Sequence, residues 1–278
     1  MKRPQTASGA PFISLIVPVH NRRSLLCPTL KSIREFRRWT GCRSECIVVD
    51  DASTDGTPEA VAARWAEEIA SGDLRVVKTR VNLGASGAKN VGAAHARGRW
   101  LLFVDSDDLL IPRAARALVR TLVRQDASPV VFFRCRVLET GDLIGPPPGR
   151  DSSLDLRSFL NRGTPGECLP ALQARAFGRF PYMAALRGGE GLAYAAMIAA
   201  FGPAWVSPLV VRRYRTANAD RLSRRMGLRG RACALARYHG IFLKRYHGRL
   251  MPGAAAMVVL KILYHGYFCG IWRLGRGR

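Results

Sequence analysis

Three carboxylates close an apolar run in WLLFVDSDDLL (residues 100–110): Asp105, Asp107 and Asp108. Asp105 and Asp107 are two apart, so in an extended chain they point to one side. Carboxylates held together repel, and a hard divalent cation such as Mg²⁺ or Mn²⁺ removes that cost. A second acidic group, DDASTDGT, follows another apolar run and supplies Asp50, Asp51 and Asp55. Asp and Ser also favour turns and helix starts, so each cluster alone has an ordinary reading as a turn. What separates the readings is where the flanking elements put the two clusters.

Four runs have strand character: FISLIVPV (12–19), ECIVVD (45–50), LRVVKT (74–79) and RWLLFVD (99–105). Between them lie helical patterns over 24–38, 57–70 and 85–98, the second opening with Thr57 as N-cap and Pro58 at the first helical position. This alternation with continuous apolar strands predicts an α/β fold with a mostly parallel, doubly wound, Rossmann-like sheet. Ligands of such sheets bind outside the carboxyl ends of the strands, where both acid clusters fall. That joint placement favours a cation site. Beyond, GDLIGPPPGRDSS (141–153) reads as a loop, and 154–189 has no regular pattern.

The chain has 278 residues, enough for one large domain or two small ones, and a formal net charge of +24. That charge predicts an anionic partner. It is concentrated late: after Glu190 the sole acid is Asp220. In 216–249 apolar and aromatic residues interleave with Arg and Lys, and 250–272 is largely apolar but interrupted by Pro252, Lys261 and His265. This pairing suits an anionic membrane surface better than a span; a helical appendage packed on the preceding domain is the alternative. No nucleic-acid recognition motif accompanies the charge, so nucleic acid is not the expected partner. Seven cysteines without a CxxC pair read as reduced thiols in a cytoplasmic protein. The N-terminal apolar run is broken by Pro18 and lacks a small-residue cleavage site, so it reads as a strand and not a signal peptide.

Four segments together resemble the motifs of family 2 inverting glycosyltransferases of the GT-A fold, in the family's order. They are SLIVPVHN (14–21), VVDDASTDGT (48–57), NLGASGAKNVG (82–92) and FVDSDD (103–108), the last matching the family's DxD. A weaker match runs over 185–215. The resemblance implies a GT-A domain over 12–215, with a nucleotide-binding half (12–110) and an acceptor half (111–215). It leaves 1–11 as an N-terminal tail and 216–278 as a basic helical extension.

The resemblance also implies a nucleotide-sugar donor, UDP-linked, and a divalent cation, Mn²⁺ or Mg²⁺. Pro18, His20 and Asn21 would line the base loop, Asp50 or Asp51 would bond the base or ribose, and Asp55 belongs to the same donor site. Asp105 would reach the ribose and share the metal with Asp107, and Lys89, where the family usually has Arg, would contact the nucleotide. A metal clamp and cationic side chains neutralise the charge that develops on a leaving diphosphate.

Inverting transfer needs a general base. The family usually carries a Glu-Asp pair there, and this chain has Glu190-Gly191. Glu190 is then the candidate base, or a carboxylate that merely favours a helix N-terminus. The implied function is transfer of a hexosyl group to a hydroxyl of a glycan or glycolipid in cell-surface polysaccharide synthesis. It would take place in the cytoplasm, peripherally at the inner face of the membrane. A non-catalytic donor-binding relative is the alternative. A nucleotidyltransferase would carry a Gly-rich loop after the first strand, and PVHNRRS has none.

Overall fold

The computed structural model describes residues 9–147, 149–186, 189–217 and 227–274. The apolar runs form β1 (Ile13–Val19), β2 (Ser44–Asp50), β3 (Leu74–Lys78) and β4 (Trp100–Phe103), all parallel, in the order β3-β2-β1-β4. Their crossovers are α1 (Arg23–Thr40), the pair α2 (Thr57–Arg64) and α3 (Ala66–Ala70), and α4 (Gly84–His95). This is the predicted alternation.

The sheet then continues with mixed polarity. It takes in β5 (Leu109–Leu110), β6 (Val130–Val137), β7 (Ser152–Leu154), β8 (Cys168–Gln173) and β9 (Ala204–Tyr214). β8 lies antiparallel between β4 and β6, while β6 runs parallel to β9, which also pairs β5 and β7 antiparallel. Helices α5 (Ala115–Arg124), α6 (Leu156–Arg162), α7 (Ala174–Arg179) and α8 (Glu190–Phe201) accompany this half. One sheet therefore runs through both halves of 12–215.

Each strand feeds a core on both faces, because successive side chains alternate. Leu15, Val17 and Val19 join Leu26, Leu30, Ile33 and Phe36 of α1, spaced three or four apart on one helical face. Ile16, Ile47 and Val49 point to the other face, under α4. The small residues of α4 have a steric reason. A Cβ on Gly92 would stand 2.3 Å from Ile16 Cγ2 and 3.0 Å from Val49 Cγ2.

The amino ends of the strands are clamped by buried Glu45. Its carboxylate accepts from Ser14 Oγ (2.6 Å), Arg97 N (2.6 Å) and Arg75 Nη2 (2.7 Å). A final pair of helices, α9 (Gly227–Tyr246) and α10 (Pro252–Leu274), completes the chain. Phe242 and Tyr246 of α9 are buried in the same core as α8.

Three expectations are corrected. The helix over 57–70 breaks at Trp65, and Gly56 (φ 77°), not Thr57, is its N-cap. Asp55 accepts from both the amide and the hydroxyl of Thr57, which draws Thr57 inside the helix. The stretch 154–189 is regular after all, holding α6, β8 and α7. The cysteines are not all reduced: Cys233 and Cys269 form a disulfide between α9 and α10, while Cys27, Cys42, Cys46, Cys135 and Cys168 are free thiols.

Candidate active site

The carboxyl ends of β1, β2 and β4 converge on one edge of the sheet, and the loops that leave them are tied together by polar side chains. Asn21, after β1, donates its amide to Ser53 Oγ (3.0 Å) and accepts from Thr54 N (2.8 Å) on its side-chain oxygen. His20 Nδ1 lies 2.7 Å from the Asp51 carbonyl oxygen, which puts the ring proton on Nδ1. Asn21 (φ 52°) and Ala52 (φ 56°) both adopt the left-handed conformation that side chains disfavour. Backbone strain of this kind collects at ligand sites. Pro18, one residue before the end of β1, is buried beneath.

The acids of the second cluster divide the labour. Asp51 is spent on architecture: its carboxylate accepts from Leu83 N (2.8 Å), Gly84 N (2.8 Å) and Thr79 Oγ1 (3.0 Å), fixing the N-terminus of α4. Asp55 accepts from Arg23 N (3.1 Å) and Thr57; these bonds outweigh burial and hold its carboxyl below the usual range. Asp50 is different, being buried with Oδ1 lacking a hydrogen-bond partner among the described residues. Of the two adjacent acids, Asp50 is the one that keeps an acceptor for a ligand.

At the end of β4 the alternation continues through the acidic turn. Ser106 and Asp108 are buried, while Asp105 and Asp107 are half-buried between them. Lys89, carried by α4, places Nζ 3.3 Å from Asp105 Oδ1 and 3.7 Å from Glu190 Oε1. Burial alone would lower its pKa, but Asp105 and Glu190 outweigh it and hold the ammonium charged. One lysine thus joins the acid cluster of β4 to the first residue of α8. The three residues form a line: Asp105, Lys89, Glu190.

Asp108 belongs to the scaffold. It meets Arg212 Nη1 at 3.1 Å and accepts from Arg215 N (3.0 Å), while Arg212 Nη2 reaches Glu167 at 2.7 Å. Burial pushes the Asp108 carboxyl up to about 7, with Arg212 opposing and the neighbouring Asp105 adding to the rise. Arg215 Nε also donates to the Asp107 carbonyl at 3.1 Å, so the end of β9 braces the acidic turn.

Several of these residues escape a motif reading. Asn90 pairs with both backbone groups of Tyr182, at 2.8 and 3.1 Å, anchoring the segment before α8. Tyr182 and Tyr194 share a hydroxyl contact of 3.0 Å, and burial raises both phenols' pKa. From α9, Tyr238 brings its hydroxyl within 2.8 Å of where a Cβ on Gly191 would stand. Burial, then the charge of Glu190, raises its pKa. The signal for Asn90 was its place beside Lys89; for Tyr238 no local signal exists.

Among the described residues no group of three or more potential ligands forms a complete metal site. The donor set still fits a hard cation: Mg²⁺ is commonly held by one or two carboxylates with the substrate phosphates supplying further oxygens. Asp105 and Asp107, both half-buried and two residues apart after β4, offer two such carboxylates.

Comparison with known proteins bears on the fold and the family. The succinoglycan biosynthesis protein ExoO of Rhizobium meliloti (strain 1021) is 32% identical over 125 residues, 45% of this chain and 33% of that protein. The chain spans between 33% and 50% of the length of the curated relatives at the head of the comparison. A crystal structure of S. aureus TarS in complex with UDP superposes with a TM-score of 0.62 at 16% identity, covering 95% of this chain and 91% of that one. The mannosyltransferase PcManGT from Pyrobaculum calidifontis, in complex with GDP-Man and Mn²⁺, does so with a TM-score of 0.58 at 19% identity, covering 96% and 80%. At such identities the likeness establishes the GT-A fold. The profile of glycosyl transferase family 2 matches residues 14–185, well over half of the sequence, and the chain belongs to that family.

Proposed function

We propose that the chain is a metal-dependent inverting glycosyltransferase. It moves a sugar from a UDP-sugar to a hydroxyl of a glycan or lipid-linked acceptor in cell-surface polysaccharide synthesis, at the cytoplasmic face of an anionic membrane. The observation that carries the reading is the line Asp105–Lys89–Glu190, which joins the donor end of β4 to the acceptor end of α8 through one half-buried ammonium. Asp50 takes the base or ribose with its unpaired oxygen, with Asn21 and His20 shaping the loop around it.

Asp105 and Asp107 would hold Mn²⁺ or Mg²⁺, which would supply positive charge to neutralise the diphosphate. The chain's own groups do the rest. Glu190 accepts the proton of the acceptor hydroxyl, whose oxygen bonds to the anomeric carbon as the bond to the diphosphate oxygen breaks. Lys89 supports the negative charge that grows on the departing UDP and, by its bond to Asp105, orients the acid beside it. Glu190 is the first helical residue of α8, and a carboxylate suits a helix N-terminus.

Calorimetry of UDP with Mn²⁺ and with chelator tests the donor half. Wild type is expected to bind only with metal, and Asp107→Ala to lose that binding; unchanged binding would remove the metal assignment. Glu190→Gln is expected to keep UDP binding and lose at least a hundredfold in turnover of the UDP-sugar, the scale of a lost general base. Retained turnover would leave Glu190 a helix-terminal charge and nothing more.

A further inference from the structure

The last helix is apolar on both sides. The residues of α10 that are part-buried (Ala254, Ala255, Val258, Ile262, His265 and Phe268) recur at three- and four-residue spacing and form the inner face, toward α9. The outer face carries Met257, Val259, Leu260, Leu263, Tyr264 and Tyr267, exposed by 40% to 68%. A helix apolar all round is not built for water on its open side. Scattered apolar residues on a surface need no explanation, but a continuous stripe along one helix does.

Charge says what covers it. From residue 221 to the C-terminus the sequence has 13 Lys and Arg and no acid. Lys244 and Arg245 at the end of α9, Arg249 in the turn that follows and Lys261 on α10 itself are exposed. An apolar face on a segment whose charged residues are all cations complements a bilayer with anionic headgroups.

The architecture says how the helix lies. The apolar stretch Pro252–Gly270 has 19 residues and a mean hydropathy of 1.2. At 1.5 Å per residue it is about 28 Å long, close to the thickness of a hydrocarbon core, so length alone permits a span. Attachment does not. α10 is joined to α9 by a short turn at one end, and Cys269 is bonded to Cys233 near the other. α9 in turn is held to the catalytic core by Phe242 and Tyr246. α10 cannot cross a bilayer without dragging the basic α9 in or tearing it from the core.

We infer that α10 is an interfacial helix. It lies flat on an anionic lipid surface through Met257, Leu260, Leu263, Tyr264 and Tyr267, and the disulfide keeps it parallel to α9. Through Tyr238, α9 also touches Gly191 beside Glu190, so lipid surface and reaction site are held in fixed relation. The inference rests on the proposed glycosyl transfer only for what the docking serves.

Sedimentation of the 278-residue chain with phosphatidylcholine vesicles, with and without about one-third phosphatidylglycerol, tests it. Wild type is expected to partition at least tenfold better into the anionic vesicles, the preference shrinking in high salt. The double variant Leu260→Glu with Leu263→Glu, on exposed positions, is expected to lose at least tenfold while melting and UDP calorimetry stay unchanged. Absent partitioning, or partitioning equal in the variant, overturns the inference. So does a light-scattering dimer that the variant dissolves, which assigns the stripe to a second copy. Protein that resists extraction by alkaline carbonate overturns the flat placement in favour of a span. UDP calorimetry reports on the donor site in every arm, so failure there is distinguishable from failure of docking.

Discussion

Position 191 is glycine for a reason that lies on another helix. A Cβ there would stand 2.8 Å from the Tyr238 hydroxyl, closer than such atoms approach. Gly191→Ala would gain about 0.5–1 kcal/mol of backbone entropy in α8. Against the phenol it would lose about 1–3 kcal/mol to overpacking, which is the larger effect. The substitution is therefore expected to destabilise wild type and to stabilise the Tyr238→Phe protein, whose ring lacks the oxygen. Denaturation of the four proteins should give a coupling energy of about 1 kcal/mol or more, and additive effects would dismiss the contact. The same pair explains how this chain departs from the Glu-Asp pattern of its family: a phenol from α9 stands where a second acidic side chain would need room.

At the scale of elements, α4 is the part that the site depends on most. It carries Lys89 and Asn90, receives the Asp51 carboxylate at its N-terminus, and lies close on the sheet because Gly92 has no side chain. Gly92→Ala pushes a methyl group to 2.3 Å from Ile16 Cγ2, so the helix must lift. A loss of about 2–3 kcal/mol in stability is expected, with weaker UDP binding as Lys89 moves; an unchanged melting curve would contradict the close packing. Much of this was legible in the sequence. β1 to β4 announce themselves as apolar runs, and acids at the carboxyl ends of β2 and β4 mark the ligand edge. What was not legible depends on partners far along the chain. Asn90 meets Tyr182 across 92 positions, Arg212 takes Asp108 into the scaffold, and Cys233 finds Cys269 only because α9 and α10 pack side by side. β8 hides for a different reason, since Pro170 interrupts the apolar pattern of CLPALQ that would mark a strand.

The whole molecule separates two jobs along its sheet. Loops at the carboxyl ends of the strands are strained and hold acids for a ligand, whereas the amino ends are closed by one acid with all its partners in place. Glu45 joins β1 through Ser14, β3 through Arg75 and the approach to β4 through Arg97. Gly98 N donates to the same Ser14 hydroxyl at 2.8 Å, extending the clamp. Burial alone would raise the Glu45 carboxyl. Hydrogen bonds from Ser14 and Arg97 and the charge of Arg75 outweigh it, and the pKa falls below its ordinary 4.5. A carboxyl depressed on folding contributes stability that is fully present above its unfolded value and is lost as pH falls through its folded one. Glu45→Gln is therefore expected to cost about 2 kcal/mol near neutral pH, the worth of charge-assisted hydrogen bonds in a buried setting. The gap between wild type and variant should then close as the solution is taken below pH 4.5, where the wild-type carboxyl takes up its proton. Thermal melting of both proteins across that range reads the difference directly, with the other acids cancelling between them. A gap that stays constant with pH would mean that Glu45 holds the four strands by shape and not by charge.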